Sequence, residues 1–349
     1  MKDLVKINYF SDKKQALEEA KSLKSLVDSG LYPEYFTMPL TLQFELTSKC
    51  NVKCKHCYNS SGENNARQDR MTPERWKDFS RSLVKQGGGI FHCVISGGEP
   101  LILGDSLFEI MDILHDDGTS FLVISNGLLM TQEKANHFSK YRYQWFQISI
   151  DGATPERHDD FRQHSGSWDA AVKAVFMLSN LGIPVTIAHT VTPNNLHELD
   201  DMCDLAYSLG ASSIICGNVM PSGRAFLNPE IIMNHEQRNI FAEKLEVNRQ
   251  KFSGRMTVQR SASTKIQLLR GLNTPNQGAI IRPNGDIRLD CVAPFTIGNV
   301  IDDDFFEVWR KKSRDVWKRP EVLKYYESWD GEEETTSSIK NYFDEDIRL

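Results

Sequence analysis

The chain of 349 residues has no apolar run of 18 residues, so no segment reads as a membrane-spanning helix. It also has no apolar N-terminal stretch of the kind a secretory signal carries. Strong net charge is missing: 41 Lys and Arg face 47 Asp and Glu, leaving −6. Nothing in that balance is basic enough for a nucleic-acid surface. Seven cysteines are an odd number, which does not close a disulfide framework. These absences describe a cytoplasmic protein in a reducing compartment, with neither membrane nor nucleic acid as an expected partner. The 40% hydrophobic fraction supplies a substantial core, in one large domain or two unequal ones.

Three of the seven cysteines share one short stretch, Cys50-Asn51-Val52-Lys53-Cys54-Lys55-His56-Cys57, directly after the strand-like run 41–47. Three thiolates on one loop can hold three irons of a 4Fe–4S cluster and leave the fourth iron open for chemistry. Zinc is the alternative, with His56 as a fourth ligand. Zinc sites, however, favour Cys-x-x-Cys pairs and a complete set of protein ligands, and His56 between two ligating cysteines strains that geometry.

From residue 41 the chain alternates. Strand-like runs near 41–47, 90–95, 120–125, 144–150, 184–191 and 212–219 are separated by helical patterns near 73–86, 105–116, 131–140, 167–181 and 195–208. Thr72-Pro73-Glu74 opens a helix, with Thr72 as its cap. Such alternation implies parallel pairing through right-handed crossovers, with ligands at the carboxyl ends of the strands. Six units fall short of a closed eight-fold barrel, so the expected fold is α/β: a partial (β/α)6 barrel over residues 41–225. Residues 1–40 form an N-terminal extension with a helix near 12–29. Residues 226–275 read as a less regular connecting segment. Residues 276–330 read as a β-hairpin, turning at Pro283-Asn284-Gly285, followed by a helix. The tail 331–349 is acidic, with seven acids against two bases over 330–349, and is expected to be solvated and partly disordered.

The three cysteines, then Gly97-Gly98-Glu99-Pro100, then Ser149-Ile150-Asp151-Gly152 stand in the order and spacing of the radical S-adenosylmethionine (radical SAM) enzymes. The resemblance covers about residues 40 to 225, and the hairpin and helix beyond resemble the family's C-terminal SPASM/Twitch extension. It implies that Cys50, Cys54 and Cys57 hold the cluster. The open iron would then chelate S-adenosylmethionine and, on one-electron reduction, release a 5′-deoxyadenosyl radical that takes a substrate hydrogen. A reducing protein such as flavodoxin or ferredoxin is implied as electron source. The resemblance places the methionyl amino group on the Gly97–Pro100 turn, and the cofactor carboxylate on Ser149 and Arg162, whose fork suits it. Glu99 reads as a ligand contact or a structural carboxylate. Ser125 and Asn126 would reach ribose or substrate, as would Asp151. The backbone of His56 would approach adenine, with Thr190, Val191 and Asn195.

Full SPASM or Twitch extensions bind auxiliary clusters through several further cysteines. Here only Cys291 follows the hairpin, so one cluster is expected, with the extension keeping its fold alone. Cys291 then reads as a hydrogen donor to a substrate radical, with Cys216 as a second candidate, or as a leftover ligand now buried. Cys93 and Cys203 read as core. The expected substrate is a peptide, modified by epimerisation or by a carbon–carbon or thioether crosslink. A sugar, aminoglycoside or other small metabolite is the second reading, and a non-catalytic iron–sulfur protein the third. The basic run Arg310 to Arg319 reads as a solvated helix face, or as a site for an acidic leader peptide.

Overall fold

The computed structural model describes residues 13–62, 69–87, 89–273, 276–329 and 346–349. Helix α1 (Lys13–Asp28) lies against a late helix of the chain and precedes strand β1 (Thr41–Glu45). Units then follow as α2 (Pro73–Gly87), β2 (His92–Ser96), α3 (Asp105–Asp116), β3 (Ser120–Ser125), α4 (Gln132–Phe138) and β4 (Tyr143–Ser149). After them come α5 (Pro155–Arg162), α6 (Ser167–Asn180), β5 (Val185–Thr190), α7 (Leu199–Ser208) and β6 (Ser213–Gly217). Thr72 starts α2 as its motif requires, accepting from Arg75 N through Oγ1 and from Trp76 N through its carbonyl.

Six parallel strands were expected, and a seventh is present. Residues 226–275 hold α8 (His235–Lys251), β7 (Thr257–Arg260) and α9 (Thr264–Asn273), and β7 pairs parallel to β6. They read as irregular because the apolar stripe of α8 is thin: its buried face mixes Phe241 and Leu245 with Arg238 and Asn248. A capping box of Asn234 and Gln237 opens it.

The hairpin is β8 (Gly278–Ile281) and β9 (Asp286–Asp290), and a third antiparallel strand, β10 (Ala293–Asn299), follows. Because β8 pairs parallel to β1, the extension continues the barrel sheet instead of forming a separate layer. Helix α10 (Phe305–Lys312) packs back on α2, with Phe305 and Phe79 edge to face at 5.2 Å. Helix α11 (Pro320–Glu327) follows it.

The last residues of the tail, expected to be solvated and partly disordered, are ordered against the extension. Residues 330–345 lie outside the described residues, but β11 (Ile347–Arg348) pairs with β10, making an eleven-stranded sheet. Asp346, counted as a tail acid, is buried against Arg282 at 3.2 Å and Arg288 at 3.4 Å. A charge count sees the acids of a tail but not the buried arginines that receive one of them.

Strand alternation divides the sheet into two faces. Leu42, Phe44, Ile95, Val123, Phe146, Ile148, Ile187, Ile214 and Ile281 lie in one continuous core beneath the helices. Their neighbours of opposite parity, Gln43, Glu45, Ser96, Gln147, Ser149 and Thr186, line the other, inner face. Among the described residues no helix is long and apolar enough to cross a membrane.

Candidate active site

The three-cysteine loop leaves the carboxyl end of β1 and is pinned from four sides. Asp69 accepts from Thr47 Oγ1 at 2.5 Å, from Ser48 Oγ at 2.6 Å and from Ser48 N at 3.0 Å. Arg224 donates through Nε to the Cys54 carbonyl at 2.8 Å and through Nη1 to the Ser61 carbonyl at 2.9 Å, while its own amide reaches the Cys57 carbonyl at 2.9 Å. Lys55 N donates to the Phe161 carbonyl at 3.0 Å. The fourth support is the Gly97–Pro100 turn: Gly98 N donates to the Thr47 carbonyl at 2.6 Å and Glu99 N to the Lys49 carbonyl at 2.9 Å. A Cβ on Gly98 would lie 2.1 Å from the Lys49 carbonyl oxygen, so this glycine lets two backbones touch.

Glu99 is 1% exposed, and its carboxylate accepts from Leu101 N, Ser125 Oγ and Asn126 N at 2.8–3.1 Å. It therefore acts as a clamp between the ends of β2 and β3, and the ligand-facing part of this turn is backbone. Burial pushes its pKa up even against those donors. Asn126 reaches Asn51 Oδ1 with its amide at 2.8 Å, tying β3 to the cysteine loop. Ser149 is half-buried at the end of β4.

Asp151 is fully buried and joins three segments. It accepts from Thr190 N at 2.7 Å and from Arg162 through Nε at 2.7 Å and Nη2 at 2.6 Å, while its amide donates to His158 Nδ1 at 3.0 Å. Burial opposes its charge, but Arg162 and nearby imidazoles hold it well below the usual carboxylate range. Arg162 is thus already forked to a protein carboxylate, and its remaining nitrogen, Nη1, lies 3.6 Å from the Cys54 sulfur. The ion pair is buried. Val191 is in the core beneath the sheet, and Asn195 donates to the Asp151 and Thr190 carbonyls at 2.9 and 2.8 Å. His56 stacks on Phe161 at 4.5 Å, nearly parallel, and burial lowers its pKa to about 4.

Burial pushes the Cys50 thiol up to about 12, and the Cys54 and Cys57 thiols beside it add to the rise. Among the described residues, however, no three His, Cys, Asp or Glu side chains converge on a single ion position. Three thiols on one loop fit a 4Fe–4S cube, which takes each thiolate on its own iron.

The other cysteines are scattered. Cys93, Cys203 and Cys216 are all in the outer core, and Cys216 shares a hydrogen bond with Cys203. Strand parity turns Cys216 away from the inner face, which removes it from the place a hydrogen donor needs. Cys291 approaches Asp290 Oδ1 at 3.4 Å and Gln267 Oε1 at 3.6 Å. Burial, then the Asp290 charge, pushes its thiol well up.

One group of polar residues escaped the motif reading. Glu45 accepts from Tyr58 Oη at 3.3 Å and Asn59 Nδ2 at 3.2 Å, and pairs with Arg282 Nε at 3.5 Å. Tyr58 follows Cys57 directly, and Cys291 is near enough to add to the rise that burial and Glu45 impose on its hydroxyl. The signal that could have found this network is Arg288, a charge between Ile287 and Leu289 in a strand with no exposed residue.

The model of the radical SAM superfamily matches residues 44–206. The mycofactocin maturase MftC of Mycolicibacterium smegmatis is 31% identical over 303 residues, which are 82% of this chain and 72% of that protein. The chain belongs to the radical SAM superfamily. AlbA of Bacillus subtilis, a biosynthesis protein of the antilisterial bacteriocin subtilosin, is 28% identical over 78% of this chain and 60% of its own length. SuiB of Streptococcus suis, solved bound to its precursor peptide SuiA, superposes with a TM-score of 0.64 at 14% identity, covering 93% of this chain and 76% of SuiB. That last likeness is one of fold.

As a radical SAM enzyme the protein works with a 4Fe–4S cluster and S-adenosylmethionine. When bound, the two would supply a 5′-deoxyadenosyl radical for hydrogen abstraction. Cys50, Cys54 and Cys57 would hold the cluster, on a loop pinned by Asp69, Arg224 and the Gly97–Pro100 turn with Arg162 beside Cys54.

Proposed function

We propose that the enzyme acts on a peptide and carries a single cluster at Cys50, Cys54 and Cys57, with Ser149 and the Gly97–Gly98 backbone as cofactor contacts. Thr190, at the end of β5, and the backbone of His56 would meet adenine, and Ser125, Asn126 and Asp151 would shape the cofactor site. The observation that carries the single-cluster reading is the scatter of the four remaining cysteines. Three are in the outer core and one, Cys291, is in the extension, an arrangement that supports a single cluster. Without an auxiliary electron acceptor, a redox-neutral epimerisation is favoured over oxidative crosslinking. The peptide reading rests on the 31% identity to a maturase and on the likeness to a bacteriocin biosynthesis protein.

In that reaction the bound cofactor would supply the radical that takes one substrate hydrogen. Cys291 then gives its S–H hydrogen atom to the opposite face of the substrate radical. The resulting thiyl is restored by one electron from a flavodoxin- or ferredoxin-class reductant and one solvent proton. A hydrogen-atom donor must keep its proton, and the raised pKa of buried Cys291 does that. The test is turnover in deuterated water with the peptide encoded beside the gene. Gain of one deuterium per altered residue supports epimerisation through an exchangeable thiol. Loss of two hydrogens identifies a crosslink or dehydrogenation instead.

A further inference from the structure

The inner face of the extension carries a charge that the described residues leave half satisfied. Arg288 stands at the middle of β9, opposite Ile280 of β8 and Thr296 of β10. Ile281, Ile287, Leu289, Phe295 and Ile297 belong to the outer core, so strand alternation turns Arg288 to the other face, with Gln43 and Glu45 of β1. It is 0% exposed. Its Nε donates to the Ala293 carbonyl at 3.1 Å and lies 3.4 Å from Asp346 Oδ1. Nη1 and Nη2 are buried and have no hydrogen-bond partner among the described residues. A buried charge with unpaired donors is among the least favourable arrangements a fold can hold, and it persists where a ligand completes it.

The unpaired edge has a chemistry. Two adjacent guanidinium nitrogens form a planar fork that matches the two oxygens of a carboxylate. The location is equally defined. Tyr58, the residue after Cys57, bonds Glu45; Glu45 faces Arg282; Arg282 and Arg288 share Asp346. One polar network thus runs from the cysteine loop to Arg288. Arg162 is tied to Asp151 and lies beside Cys54, outside this network.

We propose that Arg288 is a substrate-recognition residue whose Nη fork receives a carboxylate of the peptide, so that the enzyme selects acidic substrates. Asp346 is a positioning residue that holds the Nε edge and leaves the fork facing the barrel. This rests on the peptide reading above and adds the substrate class to it.

The test uses the reconstituted enzyme with S-adenosylmethionine and four blocked tripeptides: acetyl-Ala-Asp-Ala-amide, its Asn isostere, acetyl-Ala-Ala-Ala with a free terminal carboxylate, and the amide of that last peptide. Binding is read by calorimetry, and peptide-independent 5′-deoxyadenosine formation is followed in parallel. The wild type should bind at least one carboxylate peptide about tenfold tighter than its neutral partner. Which pair shows the difference separates a side-chain from a terminal carboxylate. Arg288→Gln should erase the difference, and Arg288→Lys should restore part of it. Equal binding of both pairs by the wild type overturns the proposal whether or not any variant folds, as does a preference that survives in Arg288→Gln. Failure of the wild type to form 5′-deoxyadenosine would instead contradict the enzymatic reading beneath it.

Discussion

Replacing Gly98 by alanine adds one methyl group at the contact between the β2 turn and the cysteine loop. The new Cβ would lie 2.1 Å from the Lys49 carbonyl oxygen and 2.6 Å from its carbon. An ordinary carbon–oxygen contact needs roughly another ångström. Lys49 precedes Cys50, so the displaced residue carries a cluster ligand with it. The shift also stretches Gly98 N to Thr47 O and Glu99 N to Lys49 O, 2.6 and 2.9 Å in the intact turn. Two weakened backbone bonds at about 1 kcal/mol each and overpacking at about 1–3 kcal/mol place the local cost near 2–5 kcal/mol. That is enough to free the loop without unfolding the barrel. Gly98 has no positive φ, so the effect is steric; Gly182, with φ +72° and nothing within 4 Å of where its Cβ would stand, supplies the backbone-strain control. Iron content after anaerobic reconstitution, 5′-deoxyadenosine rate and thermal midpoint should be measured on both. Gly98→Ala should lose most iron and activity while remaining folded, and Gly182→Ala should keep both. Full iron and full rate in Gly98→Ala would refute the view that this turn sets the loop.

Asp151→Asn strips the buried partner from Arg162 and should cost about 3–5 kcal/mol in chemical denaturation. A loss below about 1 kcal/mol would mean that the pair is not buried as described. Because Arg162 holds Asp151 below its ordinary range, this stability is fully present above about pH 4 and fades only in stronger acid. Cys291→Ala should retain formation of 5′-deoxyadenosine but abolish deuterium incorporation into product. Cys216→Ala should leave incorporation intact, because that thiol faces the outer core; an effect at Cys216 alone would reverse the assignment of donor.

The parts legible in the sequence were those fixed by local chemistry. Cys50, Cys54 and Cys57 share one loop, Thr72 and Pro73 begin a helix, and Pro283-Asn284-Gly285 turns a hairpin. What was hidden depends on partners far along the chain. Glu99 reads as a ligand contact or a structural carboxylate until Ser125 and Asn126 arrive beside it from β3. Arg162 reads as open for a ligand until Asp151 closes it. Arg282, Arg288 and Asp346 meet only because β8 pairs with β1 and the chain's last strand pairs with β10. Helix α8 was missed for a different reason: half its buried face is polar, so helical periodicity in apolar residues is faint.

The central claim, one cluster on three cysteines, is tested most directly by iron and sulfide content after anaerobic reconstitution of the wild type and of a Cys50/Cys54/Cys57 triple alanine variant. The account predicts about four irons per chain in the wild type and close to none in the variant. About eight irons in the wild type, with about four surviving in the variant, would contradict it, showing a second cluster with ligands outside the three-cysteine loop.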